Sequence, residues 1–228
     1  MNIVDLSKKY GSNQVLDKIN LTIDSGHIYG IVGLNGSGKT TLLKCLAGHE
    51  NYEGMITDAQ WLDQNKISLL ETTPLFISKI TGWEYLKLVC LSRENPFQDF
   101  EKANVFDLPL KEYANSYSTG MKKKLALTGI LLQRDNLLLL DEPFSGIDIQ
   151  SNILIQDMLL KLKARGTTII IASHTFATLE NICDKIIHLS TEGSCSIIHP
   201  DKFSTLEEEL SQTIIADHRD FLTYFLEE

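Results

Sequence analysis

A glycine-rich segment, G-L-N-G-S-G-K-T over residues 33–40, sets the strongest limit on how this chain can fold. Residues 28–32 precede it with the composition of a buried strand, and residues 41–47 follow it with helical character until Gly48. A strand, a glycine turn and a helix in that order fit the G-x-x-x-x-G-K-[ST] pattern of a phosphate-binding loop. Glycines let backbone N–H groups converge on an anion, and the helix presents its positive end to the same point.

Alternating strands and helices continue along the chain and define the predicted fold class. Residues 137–140, 168–172 and 186–189 are short apolar runs, and helical patterns separate them. Continuous apolar strands between helices are typical of a parallel sheet covered on both faces. Residues 2–32 alternate like half-buried strands, and residues 194–198 fit an edge strand. The sequence therefore predicts an α/β fold with a P-loop core and an N-terminal antiparallel β subdomain.

The segment from residue 72 to residue 117 has a different character and predicts a small α-helical insert. Thr81 and Glu84 have the spacing of a capping box that opens a helix, and Asn95-Pro96 interrupts that helix. Eight aromatic residues lie between positions 76 and 117. They can form a core of the insert's own or an exposed face on which another protein docks, and the pattern leaves both open.

The end of the chain predicts a separate helical extension. Ser204 and Glu207 have capping-box spacing before an amphipathic stretch. Most of the net charge of −9 lies from residue 201 onward, so the charge says little about the rest of the chain. We therefore divide the chain into a domain over residues 1–200, which contains the insert, and a C-terminal helical extension over residues 201–228.

Composition limits the setting in which the chain works. Hydrophobic residues make up 43% and charged residues 22% of the sequence, as in an ordinary globular protein. No apolar run approaches the roughly 18 residues that span a bilayer, and the first residues lack a secretory pattern. The four cysteines have no metal-ligand spacing, and there is no basic stripe of the kind that binds nucleic acid. We expect a cytoplasmic protein that does not bind nucleic acid.

The glycine loop and a later pair of acids predict a site for a nucleoside triphosphate. Lys39 would bridge the β- and γ-phosphates, and the Thr40 hydroxyl would bind Mg²⁺. Asp141 and Glu142 directly follow the apolar run 137–140, at the strand end where open α/β sheets bind ligands. Asp141 would hold Mg²⁺ through water, and Glu142 would polarise the attacking water as a general base.

Four motifs follow the glycine loop in an order that narrows the family. They are Y-S-T-G-M over residues 117–121, D-E-P over 141–143, S-G-I-D over 145–148 and A-S-H over 172–174. In this order they resemble the nucleotide-binding subunits of ABC transporters, over about residues 10–189. The resemblance implies an ABC ATPase fold, hydrolysis of ATP in a head-to-tail dimer, and transport of a substrate through a separate membrane subunit.

The resemblance also implies roles for individual residues. Tyr10 matches the aromatic residue that stacks on adenine, Asp148 the aspartate of a loop that crosses the dimer interface, and His174 the switch histidine that contacts the γ-phosphate. Ser118 and Gly120, in the signature segment 117–121, match residues that cap the γ-phosphate of ATP held by the opposite subunit. The remaining predicted nucleotide-binding residues are Gly33, Leu34, Asn35, Gly36, Ser37, Gly38, Lys39, Thr40 and Thr41. The predicted catalytic residues are Lys39, Glu142 and His174.

The implied cofactors are ATP and Mg²⁺, and the implied partners are two. One is a second ABC ATPase subunit, identical or homologous, and the other is a transmembrane permease that docks on residues 72–117. The chain would then lie on the inner face of the cell membrane.

Two alternatives are a soluble ABC ATPase with no membrane partner and a module that senses ATP without hydrolysing it. The absence of long heptad arms disfavours the first, and intact Lys39, Asp141 and Glu142 disfavour the second.

Three features depart from the family's pattern. The signature usually reads L-S-G-G-Q, and Met121 cannot make the hydrogen bonds of the glutamine amide that it replaces. Glu71 stands where a glutamine usually reaches Mg²⁺ and the attacking water; Gln64 is an alternative, but we favour Glu71 as the residue near the metal. Phe144 stands where a small polar residue is usual, and the sequence offers no reason for it.

Lys122, Lys123 and Lys124 occupy the first turn of the helix predicted after Ser118. Cations in that turn oppose the helix dipole, each by about 0.3–1 kcal/mol. An anion such as the ATP of a partner subunit would remove the conflict. Alternatively, the three lysines point into water and are tolerated there.

Overall fold

Two β-sheets form the framework of the computed structural model, which describes residues 1–57, 67–93, 97 and 99–217. The strands are β1 (Asn2–Tyr10), β2 (Asn13–Thr22), β3 (Ile28–Val32), β4 (Glu53–Thr57), β5 (Ile67–Leu70), β6 (Leu137–Asp141), β7 (Thr168–Ala172), β8 (Lys185–Leu189) and β9 (Cys195–Ile198). The helices are α1 (Lys39–Leu46), α2 (Gly82–Ser92), α3 (Phe100–Ala103), α4 (Thr119–Gln133), α5 (Ile149–Ala164), α6 (Phe176–Ile182) and α7 (Phe203–Asp217). Short 3₁₀ helices occupy Ala114–Ser116 and Pro200–Lys202.

The smaller sheet is antiparallel and has the strand order β2-β1-β4. It confirms the predicted N-terminal antiparallel subdomain. The sequence did not predict β4, because Glu53–Thr57 is mostly exposed and shows no apolar alternation.

The larger sheet has the order β5-β6-β7-β3-β8-β9. Strands β5, β6, β7, β3 and β8 pair parallel to one another in that order. Strand β9 pairs antiparallel with β8 and forms the edge of the sheet, the position predicted for residues 194–198. Strands β3, β6 and β7 are buried along their whole length. Ala172 lies beside both Ile31 and Asp141 in the register, so these three strands end at the same edge of the sheet.

Helices and the smaller sheet cover both faces of the larger sheet, which confirms the α/β fold class. On one face, α1 and the antiparallel sheet share a core that includes Leu42 and Leu139. On the other face, α4, α5 and α6 share a core that includes Leu127 and Ile155. Strands β3, β6 and β7 are packed on both faces by these cores, so the loops that follow them begin at fixed positions.

The region between β5 and α4 has a core of its own. Four of its buried residues are Leu86 of α2, Phe100 of α3, Leu125 of α4, and Tyr117, which precedes α4. The predicted capping box at Thr81 is confirmed, since Glu84 N–H donates to Thr81 Oγ1 (3.2 Å) and Thr81 N–H donates to the Glu84 carboxylate (2.8 Å). The predicted interruption at Asn95-Pro96 lies outside the described residues, and α2 ends at Ser92.

The aromatic residues of this region are divided between the local core and the surface. Phe100 and Tyr117 are buried in the local core, whereas Trp83 and Tyr113 are exposed. Apolar side chains extend the exposed surface around Trp83. They are Ile77, Leu88 and Leu91, which line one groove with Trp83, and we call these four residues the apolar face of α2.

The capping box predicted at Ser204 is wrong. A 3₁₀ turn begins at Pro200, and α7 begins at Phe203, so Ser204 lies inside the helix instead of capping it. Proline is favoured in the first turn of a helix. Phe203 is buried in the core beside Phe176, with ring centroids 6.3 Å apart, and this contact sets where the helix starts.

The structure explains Phe144. Its side chain is only 8% exposed and belongs to the same core as Leu127, Leu140 and Ile155. The ring therefore fills space between α4, α5 and the end of β6, where a small polar residue would leave a gap.

Phe144→Ala tests this packing role. We expect the free energy of unfolding to fall by about 3–5 kcal/mol, because the change removes a buried ring and leaves a cavity. Leu75→Ala is the matched control: Leu75 is 85% exposed, and its loss should change the free energy by less than about 0.5 kcal/mol. Urea denaturation followed by circular dichroism measures both. Similar losses in the two variants would contradict the packing role.

Candidate active site

The glycine loop joins β3 to α1 and is held by its own lysine. Lys39 is buried, and its Nζ donates hydrogen bonds to the carbonyl oxygens of Gly33 (2.8 Å) and Leu34 (3.0 Å). Burial lowers the pKa of Lys39, while the carboxylates of Glu142 and Asp141 oppose that shift. The ammonium therefore lies over the loop, near both acids, where it can reach a phosphate.

Two glycines of the loop cannot carry a side chain without displacing their surroundings. Gly38 has φ of 96°, in the left-handed region, and α1 begins directly after it, two residues earlier than predicted. A Cβ on Gly33 would collide with the carbonyl oxygen of Leu189 and with Ser37 Oγ. The Ser37 hydroxyl is buried and has no hydrogen-bond partner among the described residues. These constraints fix the path of the backbone whose N–H groups face the anion.

A cleft of about 420 Å³ opens between the glycine loop, the strand ends and the smaller sheet. It brings together most of the predicted site residues: Tyr10, Asn35, Gly36, Gly38, Lys39, Thr40, Thr41, Asp141, Glu142 and His174 line it. Val15 and Thr72 also line the cleft and were not predicted. Leu34 and Asn35 line a neighbouring groove beside α7. Tyr10 is half exposed, and Lys8 Nζ lies 4.8 Å from its ring centroid, so one face of the ring is occupied by a cation.

Oxygen atoms converge at the end of β6. Asp141 Oδ2 accepts hydrogen bonds from Thr40 Oγ1 (2.8 Å) and Thr72 Oγ1 (2.6 Å). A carboxylate with adjacent hydroxyls beside a phosphate loop is the hard-oxygen environment that suits Mg²⁺. The residues present therefore fit the metal.

The structure places Glu71 outside the residues that line the cleft. Its carboxylate lies 3.5 Å from Lys44 Nζ, and both side chains are part exposed. Thr72, the next residue, is the one whose side chain reaches Asp141. The alternative, Gln64, lies outside the described residues.

Glu142 and His174 form the other wall of the cleft. Glu142 Oε1 lies 3.3 Å from His174 Nε2 and is buried without a hydrogen-bond partner among the described residues. Burial raises the pKa of the Glu142 carboxyl, the nearby His174 lowers it, and Asp141 raises it further. A buried carboxylate with a free lone pair beside the phosphate loop is placed to accept a proton from water.

Comparison with known proteins decides the family. Residues 16–145 match the family described as ABC transporter. The bacitracin transport ATP-binding protein BcrA of Enterococcus faecalis is 32% identical over 93% of this chain and 75% of its own length. The ABC transporter ATP-binding protein YtrB of Bacillus subtilis is 34% identical over 90% of this chain and 72% of its own.

The chain belongs to the ABC transporter family. Within it, this chain is an ATP-binding, ATP-hydrolysing subunit. The lantibiotic transport ATP-binding protein SrtF of Streptococcus pyogenes is 28% identical over 96% of this chain and 99% of its own.

Solved structures agree on the fold. An ATP-binding subunit of an ABC transporter superposes with a TM-score of 0.79 at 25% identity, covering 88% of this chain and 90% of that one. The dimeric ATP-binding cassette MJ0796, in a post-hydrolysis state with ADP and Pi, superposes with a TM-score of 0.75 at 20% identity, covering 87% and 98%.

The ABC signature lies apart from the cleft of its own chain. Ser118 caps α4 by accepting a hydrogen bond from the Met121 N–H (3.2 Å), and neither Ser118 nor Gly120 lines the cleft. A Cβ on Gly120 would lie 2.5 Å from the carbonyl oxygen of Gly146, so the signature touches the loop 145–148 backbone to backbone. Met121 packs against the core of the helical region instead of making polar contacts.

Neither interpretation of the lysines after the signature holds for Lys123 and Lys124. Lys123 is 2% exposed, and its Nζ donates to the carbonyl oxygens of Glu142 (2.7 Å) and Ser145 (2.9 Å). Lys124 Nζ lies 2.5 Å from the Asp148 carboxylate, whose pKa this contact lowers. The anion and dipoles that offset the opposed helix dipole therefore come from this chain, and neither solvent nor a partner's ATP is needed.

The environment of Glu142 predicts a pH dependence of turnover. A general base works only when deprotonated, and burial raises the pKa of this carboxyl above its ordinary value of 4.5. Protonation therefore begins at a higher pH than for an exposed glutamate, and kcat for ATP hydrolysis should fall as pH decreases toward that raised pKa. Steady-state rates, with circular dichroism at each pH as the folding control, measure it. A kcat that stays constant down to pH 4.5 in folded protein would contradict this role.

Proposed function

We propose that this chain binds Mg·ATP in the cleft beside its glycine loop and hydrolyses it in a head-to-tail dimer, to drive transport through a separate membrane subunit. The observation that carries the proposal is the convergence of Lys39, Thr40, Asp141, Glu142 and His174 on one cleft. Local backbone contacts, not chance proximity, hold each of these residues at the end of a buried strand or the start of a helix. In this role the chain would lie at the inner face of the cell membrane.

Each group of residues in the cleft would bind a different part of Mg·ATP or act on the attacking water. Tyr10 offers a ring for the adenine, Lys39 leaves its two carbonyl partners to bridge phosphates, and Thr40 with Asp141 would hold Mg²⁺. When bound, Mg²⁺ neutralises charge on the phosphate oxygens. Glu142 accepts a proton from the attacking water, and His174 holds the geometry around the γ-phosphate.

Glu71 stays a proposed metal residue that must move to reach the cleft. Its ion pair with Lys44 is part exposed and therefore weak, which makes exchange easy. A carboxylate about 4 Å from a negative charge of the γ-phosphate meets repulsion of about 4 kcal/mol at an effective dielectric of 20. It can therefore approach only when Mg²⁺ offsets that charge.

A second subunit supplies what the cleft of one chain lacks. Ser118 and Gly120 lie apart from their own cleft, so the signature can reach ATP only across an interface between two protomers. Asp148, which caps α5 and pairs with Lys124, would cross the same interface. The partner is a second copy of the chain or a homologue.

The apolar face of α2 is the proposed docking surface for the membrane subunit. Ile77 is 66% exposed, Leu91 63% and Leu88 47%, and together with Trp83 they line a groove of about 510 Å³. Exposed apolar side chains grouped this closely mark an interaction surface. This surface favours the transporter role over a soluble ATPase without a membrane partner. BcrA and SrtF are named for transport of bacitracin and a lantibiotic, so peptide antibiotics are the substrates to test first.

Two substitutions separate binding from hydrolysis. Lys39→Met removes the ammonium that bridges the phosphates, and we expect ATP affinity to fall about 10- to 100-fold. Glu142→Gln keeps the shape of the side chain but not the base, so ATP still binds while kcat falls about 10²- to 10⁴-fold. Lys161→Met, in an exposed ion pair on α5, is the control and should change neither. Unchanged ATP affinity in Lys39→Met would overturn the proposed site.

Leu88→Asp tests the docking surface. A carboxylate in the centre of the apolar face should reduce copurification of a polytopic membrane protein with the tagged chain at least about tenfold, because the interface would bury an unpaired charge. Met55→Asp introduces the same charge at a similarly exposed position on β4, and should leave copurification unchanged. Mass spectrometry of the captured proteins measures both. Equal capture by Leu88→Asp and the unaltered chain would rule out this surface.

A further inference from the structure

Lys123 is a buried lysine whose hydrogen bonds go to the main chain beyond β6. It is the fifth residue of α4, at the start of the second turn, and its Nζ donates to the carbonyl oxygens of Glu142 and Ser145 at 2.7 and 2.9 Å. Burying an ammonium is unfavourable unless its protons are bonded and negative charge is near. Burial lowers the pKa of Lys123, while the carboxylates of Glu142 and Asp141 oppose that shift. An uncharged apolar residue would fill the same space without that cost, so the ammonium has a use beyond packing.

The backbone of Glu142 shows what the ammonium does. Its φ is 52°, in the left-handed region that a glutamate rarely adopts. Its N–H donates to the carbonyl oxygen of Ala172 (2.9 Å), and its own carbonyl accepts from Lys123. The carbonyl also accepts from the Ser145 N–H (3.3 Å), so the backbone of Glu142 is held on both sides, and Lys123 makes the shorter of the two contacts to the carbonyl. The carboxylate is thereby aimed at His174, with Oε1 3.3 Å from Nε2.

Lys124 has a different task. Its ammonium pairs with the side chain of Asp148, which is 54% exposed at the start of α5. It therefore acts on the loop that would cross the dimer interface and does not touch the backbone of Glu142. Among the described residues, Lys123 is the charged one that donates to the carbonyl of Glu142, and it does so from inside the core.

We infer that Lys123 is a positioning residue, whose ammonium holds the backbone of Glu142 so that the carboxylate points into the nucleotide cleft of the same protomer. The inference rests on the proposed function, because it takes Glu142 as the general base. Lys123 lies on the signature helix, which in the proposed dimer faces the ATP of the opposite protomer. The inference therefore predicts that losing Lys123 harms the site of its own protomer and not the site that its signature faces.

Mixed dimers of two differently tagged copies separate these sites. In the first dimer, one protomer carries Lys123→Met and the other carries Glu142→Gln, so the remaining base belongs to the protomer without Lys123. In the second dimer, one protomer carries both substitutions, so the remaining base belongs to an unaltered protomer that faces the altered signature helix. The reference dimer has one unaltered protomer and one Glu142→Gln protomer.

We expect kcat for ATP hydrolysis in the first dimer to be about 10- to 100-fold below the reference with KM unchanged, because a misplaced base slows the chemical step without weakening binding. The second dimer should match the reference. Lys161→Met in place of Lys123→Met in the first dimer is the control for the substitution itself, and should also match. A first dimer as fast as the reference, or a second dimer as slow as the first, would overturn the inference.

Two further outcomes are also decisive. If the unaltered homodimer hydrolyses no ATP, the proposed function fails, and the inference fails with it. If Lys123→Met does not fold by circular dichroism, Lys123→Gln replaces it in both dimers, since its amide is uncharged but still donates hydrogen bonds. The same pattern, a slow first dimer and an unchanged second dimer, is then required.

Discussion

The parallel pairing of β3, β6 and β7 is the constraint on which the site depends. Ala172 lies beside both Ile31 and Asp141, so the glycine loop, the acid pair and the histidine loop all leave the sheet at one edge. The three strands are buried along their whole length and flanked by residues such as Asn136 and Ser173, so sliding one strand along its neighbours would draw a polar loop residue into the core. Residues far apart in sequence therefore meet in one cleft because their strands end together, and no long-range side-chain contact is needed to gather them.

The fold class and most of the cleft could be predicted from the sequence because their signals are local. A buried strand followed by the glycine loop, and a second strand followed by Asp141 and Glu142, each specify a strand end without reference to the rest of the chain. Parallel strands then place those ends together. His174 was indicated by the resemblance to ABC subunits, and it lies at the same edge because it stands two residues after β7.

The features that sequence reasoning missed depend on tertiary contacts. Thr72 reaches Asp141 because β5 pairs with β6, and no local pattern states which strands are neighbours. The helix dipole alone makes Lys123 and Lys124 unfavourable, but the loop 142–148, which α4 packs against, supplies their hydrogen-bond and ion-pair partners. Ser204 failed as a cap because burial of Phe203 decided where α7 begins.

The close approach of Gly120 and Gly146 has a consequence for how movement would pass between two protomers. A Cβ on Gly120 would lie 2.5 Å from the carbonyl oxygen of Gly146, so no rotamer change can absorb movement between these two loops. A shift of either loop toward the other would therefore meet main-chain atoms, and one loop would push the other. In a head-to-tail pair both loops would lie at the interface between protomers, so closure around one nucleotide would press by main-chain contact on the loop beside it.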